Sequence, residues 1–192
     1  MQMISREIKV WHLELFDNPN LPVADARPYN LVRQTELVAE FNRFLYTTVG
    51  SQWYWLDRLN WSYEDWNTCL KSPETQVWVA YQQADPIGYV ELALQPLNSV
   101  EISYFGLLPD FIGRGLGSLF LNDAIDRAFM LGGDRVWLHT CTLDHPRALQ
   151  NYQSRGFKIF KEEQFTTQLP AHHLQPAAHT FCHDPRHVQW TR

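Results

Sequence analysis

Three glycines at alternate positions, Gly113, Gly115 and Gly117, separate an apolar segment from a helical pattern. A strand, a glycine-rich turn and a helix form a recurrent anion site, because the first helical turn has unpaired backbone N–H groups and the helix dipole favours negative charge there. Neither the dinucleotide fingerprint nor the P-loop fits, since no reading frame completes G-x-G-x-x-G and no Gly-Lys-Ser/Thr follows. The segment predicts a phosphate-bearing ligand, with a simple tight turn as the alternative.

A second segment, "HPRALQNYQSRGF" at 145–157, predicts a short helix with Pro146 near its start and Gly156 just past its end. Tyr152 follows Ala148 by four residues, so both side chains lie on the same helical face. A phenol has a pKa of about 10, so a tyrosine there could supply or share a proton at neutral pH without ionising. The alternative is a packed tyrosine whose hydroxyl is satisfied elsewhere.

Together the two segments resemble the GNAT superfamily of acyl-CoA-dependent N-acyltransferases. The first is similar to its pyrophosphate loop, Arg/Gln-x-x-Gly-x-Gly/Ala, with Ile112 at the Arg/Gln position. The second is similar to its later helix, Asn-x-x-Ala-x-x-x-Tyr-x-x-x-Gly-Phe, with His145 at the Asn position. The positions in register are Pro109, Gly115, Gly117, Ala148, Tyr152, Gly156 and Phe157. The resemblance covers residues 76–160 well and the N-terminal part in element order only.

The resemblance implies that the chain takes acetyl-CoA, or a related acyl-CoA, as co-substrate, uses no metal, and passes the acyl group to an amine by direct attack in a ternary complex. Main-chain amides across 112–118 would hold the pyrophosphate, and Arg114 could add a charge-assisted contact. Tyr152 would lie beside the thioester sulfur. The residues assigned to the cofactor in this way are Ile112, Gly113, Arg114, Gly115, Leu116, Gly117, Ser118, His145 and Ala148.

The resemblance also implies that a backbone N–H polarises the thioester carbonyl where two parallel strands splay apart, and "SYFGLLP" is the corresponding strand. Gly106 in this β-rich run fits a bulge or a close backbone approach. The amides of Leu107 or Leu108 would then be free for the ligand. Simple tolerance of a glycine at a sheet edge is the alternative.

A glutamate on the same strand is the candidate base. Strict alternation predicts one face made of Glu101, Ser103 and Phe105, and an opposite face made of Ile102 and Tyr104. Enzymes of the resembled superfamily that use a glutamate often carry it on this strand, so Glu101 is preferred, with a pKa that desolvation could raise. Three alternatives stay open: Glu91 on the neighbouring strand, a surface role for either glutamate, and proton loss to solvent.

Period-two alternation also puts His139 on the same strand face as Trp137 and Cys141. His139 could bind substrate or move a proton, although a hydrogen-bonded core histidine is the commoner fate of such a residue. Cys141 would be the nucleophile of a covalent acyl-enzyme, but a small buried side chain is the better interpretation without a histidine at known distance.

Four tryptophans crowd into residues 53–66, namely Trp53, Trp55, Trp61 and Trp66. In the resembled fold this region caps the acceptor cleft, so the rings could line a pocket for a hydrophobic or cationic group. Trp53 and Trp55, with Glu91 and His139, are the candidate acceptor-binding residues. A compact aromatic minicore between two short helices is the alternative, and both can hold together. Asp57, Glu64 and Asp65 among the rings could attract an ammonium.

The composition favours a protein with a substantial core and no nucleic-acid surface. The chain has 192 residues, 45% of them apolar, and a formal net charge of -5. No basic stripe suited to phosphate backbones is present, and no window has the roughly 18 uninterrupted apolar residues that cross a membrane. The three cysteines cannot all pair with one another, and their spacings match no zinc pattern, so we predict a reducing, cytoplasmic environment.

The elements that must position these residues follow the order strand, two helices, three strands, helix, strand, helix, strand. A first strand is predicted from Arg6 to Phe16, and the clearest helix follows the glycines. We therefore predict one domain over 1–192 of α/β (α+β) class, with a mixed, twisted central sheet of roughly six to seven strands flanked by about four helices. Residues 165–192 are predicted to form a C-terminal extension.

The C-terminal region holds five of the eight histidines, including His179, His183 and His187. A proline after Asp184 breaks their helical spacing, which argues against a metal site. The extension could cover the acceptor cleft or form the contact of a homodimer.

Two alternative functions of the chain remain. One is a non-catalytic acyl-CoA-binding module, because Ile112 and His145 depart from the resembled pattern, and the other is a nucleotide-phosphate binder that uses the same loop.

Overall fold

A seven-stranded sheet with strand order β2-β3-β4-β5-β6-β1-β7 organises the computed structural model, which describes residues 3–19, 27–36 and 38–171. The β5–β6 pair is parallel and the other neighbouring pairs are antiparallel, which confirms the predicted mixed sheet. The strands are β1 Met3–Leu15, β2 Asn30–Arg33, β3 Thr75–Gln82, β4 Asp85–Gln95, β5 Ser99–Leu107, β6 Arg135–Cys141 and β7 Lys158–Pro170. The helices are α1 Ala39–Gly50, α2 Tyr63–Leu70, α3 Leu116–Met130 and α4 Ala148–Gln153.

Both ends of the described chain meet in the sheet, in an arrangement that the linear order of elements does not specify. The predicted first strand exists, but β1 lies between β6 and β7 rather than beside the next strand in sequence. It pairs with β7 along nearly its whole length, from Glu14 opposite Lys158 to Met3 opposite Pro170. Residues 165–170 of the predicted extension therefore belong to the sheet. Residues 172–192, with their histidines, lie outside the described residues.

Two hydrophobic clusters hold the helices on the sheet. One contains α3 residues such as Phe120 and Ala124, and the other contains Tyr46 of α1 and Trp66 of α2. Each of these four side chains is at most 1% exposed, and burial of a large apolar side chain contributes about 2–3 kcal/mol. The predicted start of α2 is confirmed, because the Ser62 side chain accepts from the amide of Asp65 and Asp65 bonds back in a capping box.

One polar position of α3 is buried by a segment that the sequence pattern missed. Asp123, on the polar side of the helix, is 1% exposed because it accepts a 2.6 Å hydrogen bond from the Tyr29 hydroxyl and pairs with Arg27. The same segment continues into β2, a four-residue strand too short to show alternation. Within the described ranges, no helix is long and apolar enough to cross a membrane.

Candidate functional site

The parallel strands β5 and β6 separate soon after they begin. Their pairing runs only from Ser99 opposite Arg135 to Glu101 opposite Trp137, although β5 continues to Leu107 and β6 to Cys141. Beyond Glu101 the backbone edge of β5 that would face β6 is therefore open. This divergence is the splayed gap that the sequence analysis anticipated.

A cavity of about 740 Å³ occupies the gap and continues on both sides of it. Three groups of residues line it: the glycine loop with the first turn of α3, the facing segments of β5 and β6 with α4, and the aromatic loop between α1 and α2. Predicted site residues on its wall are Trp53, Trp55, Leu107, Ile112, Gly113, Gly115, Gly117, Ser118, His139, His145, Ala148 and Tyr152.

The glycine loop leaves backbone amides available at the start of α3. Gly113 and Gly115 have φ of 83° and 78°, in the left-handed region that glycine tolerates best. Gly115 is the N-cap residue and no side chain caps the helix, so the first amides of α3 have no intrahelical acceptor. One predicted donor needs correction: the Ile112 N–H donates to the Pro109 carbonyl at 3.2 Å, which closes a 3-10 turn over Pro109–Phe111.

Gly117 differs from the other two glycines because neither its backbone conformation nor its packing in the protein requires a glycine. It lies in the helix without a positive φ, and a Cβ there would approach only Leu107 Cδ1, at an ordinary 3.8 Å. The missing side chain leaves the cavity wall bare beside the open amides. Two neighbours predicted to bind cofactor do not line the cavity: Leu116 is 6% exposed in the core, and the exposed Arg114 lies over the Phe111 ring at 4.9 Å.

On β5, only one of the two predicted amides faces the gap. The Leu108 N–H donates to the Ile87 carbonyl at 2.8 Å, so this amide is occupied. Because N–H directions alternate along an antiparallel strand, the Leu107 N–H points the other way, toward β6. Gly106 between Leu107 and Phe105 permits the close approach of α1, since a Cβ there would lie 2.5 Å from Val49 Cγ1.

Tyr152 lies on the cavity wall. Its half-buried ring packs against Phe105 of β5 and Phe157, with centroids 6.4 Å and 6.2 Å away. Burial, and then the negative charge of Asp144, raise the pKa of Tyr152 above the usual value of a phenol. The hydroxyl is therefore protonated at neutral pH and able to donate a proton.

His145 begins the turn that leads into α4. Its Nδ1 accepts from the Arg147 amide at 3.1 Å, and its carbonyl accepts from the Ala148 amide at 2.7 Å. Because Nδ1 is an acceptor, a neutral ring carries its proton on Nε2. The ring also meets Trp53 edge-on at 5.4 Å, which joins the helix to the aromatic loop.

Strict alternation of side chains along β5 is interrupted at Ser103. Ser103 has no partner on β4, because Glu91 pairs with Tyr104 while the next pair is Leu92 with Ile102. This bulge reverses the alternation, so Ile102 and Phe105 pack in the same core cluster instead of on opposite faces.

Neither Glu101 nor Glu91 lines the cavity. Glu101 accepts from Gln95 Nε2 at 2.8 Å and lies 3.8 Å from Nδ1 of His139, which does line it. Burial raises the pKa of Glu101. Glu91 is 2% exposed and accepts two hydrogen bonds from Arg58, at 2.7 and 2.8 Å.

His139 and Cys141 face the cavity from β6, and Trp137 shares their strand face as predicted. The alternative of a buried core histidine is wrong, because about half of the His139 side chain is exposed. Partial desolvation, and then the charge of His12, lower the pKa of His139, which favours the neutral ring. Burial, and then the charge of Asp144, raise the pKa of Cys141 to about 11. The thiol is therefore almost entirely protonated at neutral pH and is a poor nucleophile.

The tryptophans divide between the two predicted roles. Trp66 is fully buried and packs against Trp61, with centroids 5.1 Å apart, which is the minicore. Trp53 and Trp55 line the cavity, together with Tyr104 and Asp57.

Sequence reasoning missed the two arginines that flank α4. Arg147 and Arg155 both line the cavity, and Asn151 lies between them on α4, 3.3 Å from the Ser118 hydroxyl. Arg155 Nε donates to Asn122 of α3 at 3.1 Å, which holds the guanidinium near the helix. A signal was present, since "HPRALQNYQSRGF" carries one basic residue at each end of its helix. Among the described residues, no group of three His, Cys, Asp or Glu side chains could hold a metal ion.

A family model now identifies the fold. The model described as the acetyltransferase (GNAT) family matches residues 35–157, more than half of the chain. The chain belongs to the GNAT family. This match includes the glycine loop and the α4 segment, the two motifs that carried the resemblance.

Curated relatives of this GNAT chain include uncharacterized N-acetyltransferases of Mycobacterium tuberculosis and Mycobacterium bovis. Each is 31% identical over 104 residues, which is 54% of this chain and 65% of the relative. The match thus spans less than two thirds of the relatives' own length.

Solved structures share the GNAT fold at low identity. A GCN5-related N-acetyltransferase from Sphaerobacter thermophilus is 16% identical, with a TM-score of 0.60 over 84% of this chain and 51% of its own. An aminoglycoside acetyltransferase from an uncultured soil metagenomic sample, in complex with sisomicin, is 13% identical, with a TM-score of 0.57 over 67% of this chain and 88% of its own.

Proposed function

We propose that the protein is an N-acetyltransferase that moves an acetyl or short acyl group from acetyl-CoA to a primary amine by direct attack in a ternary complex. The observation that carries this proposal is the single cavity that joins the open amides of α3 to the gap between β5 and β6. A thioester joined to phosphates by a long narrow arm would fit this cavity, with its phosphates at the amides of α3 and its thioester in the gap. Family membership supports the same reaction class.

At the phosphate end, the amides from 113 to 118 would donate to the pyrophosphate oxygens, where the helix dipole adds favourable charge. Arg147 and Arg155 on the cavity wall would supply positive charge to the phosphates. The bare surface at Gly117 fits this ligand, because a side chain there would occupy the space next to those amides.

In the gap, the Leu107 N–H would donate to the thioester carbonyl oxygen. A donor that is already fixed by a strand stabilises the negative charge that develops on this oxygen during attack. As the amine nitrogen bonds to the carbonyl carbon, the carbon–sulfur bond breaks. Tyr152 would then donate the proton that the departing thiolate takes up.

The proton released by the amine needs an acceptor at the cavity wall. We propose that His139 receives it, directly or through water, because the neutral form of this ring is favoured and it faces the cavity. Glu101 lies behind His139, and its Oε1 is 3.8 Å from Nδ1. Glu101 does not touch the amine in this proposal, and its role is to stand behind the protonated His139 ring.

Amine-dependent thiol release tests the reaction, with Cys141→Ala as the test of direct attack. Burial raises the pKa of Cys141 to about 11, so the thiol is almost entirely protonated at pH 7.5 and the variant should retain kcat within about threefold. Free thiol is measured with acetyl-CoA and a panel of primary amines, and intact mass is recorded after incubation with acetyl-CoA alone. Acceptor-independent acetylation of Cys141 would contradict direct attack, and acetyl-CoA binding without amine-dependent release would indicate a non-catalytic module.

Gly117→Ala tests the phosphate end with opposite effects on stability and binding. Alanine is favoured over glycine inside a helix by up to about 1 kcal/mol, so the free variant should be as stable as the parent or slightly more stable. Its affinity for coenzyme A should fall about tenfold, because the added methyl group occupies space beside the open amides. Isothermal titration and urea unfolding measure the two quantities. Unchanged affinity would place the pyrophosphate elsewhere, and equal affinity for ATP would favour a nucleotide binder.

A further inference from the structure

Asp57 is a carboxylate on the cavity wall that has no direct role in the proposed reaction, although its charge partly offsets the lowering of the His139 pKa by burial. It lies on the loop between α1 and α2, on the sheet face where the cluster of Tyr46, Trp66 and Tyr104 packs. The helix α3, with its open amides, packs on the opposite face against the other cluster. The carboxylate therefore belongs to the acceptor side of the cavity.

Two phenols hold this carboxylate in one orientation. Tyr46 donates to Oδ1 at 2.8 Å, and Tyr104 donates to Oδ2. Burial raises the pKa values of both tyrosines, so both remain protonated donors. The Tyr46 oxygen also accepts from the Arg58 amide at 3.2 Å, which fixes the backbone next to Asp57.

The negative charge of Asp57 has no cationic partner among the described residues, where seven salt bridges are present and none includes it. The nearest arginine along the chain, Arg58, is committed to Glu91 through two hydrogen bonds. A carboxylate has about four acceptor positions, and the phenols use two of them. The other two can accept from a ligand.

Aromatic rings stand next to the carboxylate. The Trp55 and Tyr104 ring centroids are 5.0 Å apart, and both residues line the cavity with Asp57. The Tyr104 ring already holds the Arg58 guanidinium 4.2 Å from its centroid, so Trp55 is the ring available to a ligand. An indole or phenol face attracts a cation that lies within about 6 Å of its centroid. A carboxylate beside such rings is the chemistry that recognises an ammonium group.

This ammonium is not the reacting nitrogen. A carboxylate that pairs with an ammonium stabilises the protonated form and raises its pKa, whereas attack on a thioester requires the neutral amine. A group held by Asp57 is thus better suited to remain charged while a second amine reacts. The cavity also has opposite charges on its two sides, with Arg147 and Arg155 beside the phosphate end, so a cationic acceptor is attracted to the Asp57 side.

We infer that the acceptor is a primary amine that carries a second positive charge, as in a diamine or polyamine, and that Asp57 with the Trp55 ring binds this second charge. The inference rests on the proposed acyl transfer for its kinetic consequences but not for binding. Asp57 is a specificity-determining residue in this account, and Tyr46 and Tyr104 position it.

Matched acceptors test the inference in the full-length protein. With acetyl-CoA, kcat/KM for 1,4-diaminobutane should exceed that for butylamine at least tenfold, since the two differ mainly in the second charge. Asp57→Asn should lower the value for the diamine about tenfold, mainly through KM, and leave butylamine within about threefold. Glu64→Gln is the matched control and should change neither, because this exposed acid on α2 does not line the cavity.

A binding measurement separates this inference from the transfer reaction. Titration calorimetry should show that the diamine binds more tightly than butylamine to the parent protein, and that Asp57→Asn removes the difference. Equal binding of the two amines, or full diamine affinity in Asp57→Asn, overturns the inference whatever the kinetics show. Diamine binding without thiol release would leave Asp57 as the site of the ammonium group and overturn the proposed reaction.

A second variant covers the case in which Asp57→Asn does not fold. Tyr104→Phe keeps the ring and removes one hydroxyl that holds the carboxylate, so diamine affinity should fall about threefold and butylamine affinity should not change. Thermal unfolding verifies that each variant is folded before titration. Unaltered diamine selectivity in folded Tyr104→Phe and Asp57→Asn proteins would overturn the inference.

Discussion

Tyr152→Phe should lower kcat about 100-fold while the KM for acetyl-CoA stays within about threefold, because proton transfer from a positioned group contributes at least this factor. Phenylalanine keeps the ring that packs on Phe105 and Phe157, so the cavity wall should persist and only the donor is lost. Burial and the charge of Asp144 raise the pKa of Tyr152, so the phenol remains protonated as the pH rises through the range near neutrality. The loss should therefore be the same from pH 6.5 to 8.5.

Steady-state thiol release at saturating amine measures this effect, and Tyr81→Phe is the control. Tyr81 lies on β3 away from the cavity wall, so its hydroxyl should be dispensable for turnover. A kcat for Tyr152→Phe within threefold of the parent would remove Tyr152 from the proposed chemistry. A large rise in the KM for acetyl-CoA with unchanged kcat would assign it to binding instead.

Features set by residues close in sequence were predictable. The α2 start depends on a side chain and an amide three residues apart, and the glycine loop depends on backbone freedom at Gly113 and Gly115. The α3 face follows from helical periodicity, although the burial of Asp123 depends on Tyr29, which is 94 residues away. The position of β1 between β6 and β7 is likewise a long-range choice that local pattern does not encode.

In the candidate site, too, the features set by residues close in sequence were predictable and the long-range contacts were not. The cofactor side is described by two short motifs, and the structure brings both to one cavity. The predicted faces of β5 failed at Ser103, because a bulge depends on the register of the partner strand rather than on the strand's own alternation. Glu91 appeared in sequence as a lone strand glutamate, and its partner Arg58 lies 33 residues away. The acceptor side is therefore the part that required the structure.

The Arg58–Glu91 pair anchors the acceptor loop to the sheet, and its disruption should have the largest effect on stability. Arg58 follows Asp57 directly, and its guanidinium lies over the Tyr104 and Trp61 rings at 4.2 and 4.4 Å. Arg58→Met leaves the Glu91 carboxylate buried without its two donors. Removal of one partner from a buried pair costs about 3–5 kcal/mol, so urea unfolding should show a loss of that size in the free energy of unfolding.

The double variant Arg58→Met/Glu91→Leu separates loss of the pair from loss of the arginine. Replacement of both partners removes the buried charge, so the free energy of unfolding should return to within about 1.5 kcal/mol of the parent. Lys9→Met, which removes the half-exposed pair with Glu162, should cost less than about 1 kcal/mol because solvent screens that interaction. If the double variant is no more stable than Arg58→Met, the contacts of Arg58 with the rings hold the loop rather than the ion pair. Asp57 would then owe its position to aromatic packing and to the hydrogen bonds from Tyr46 and Tyr104.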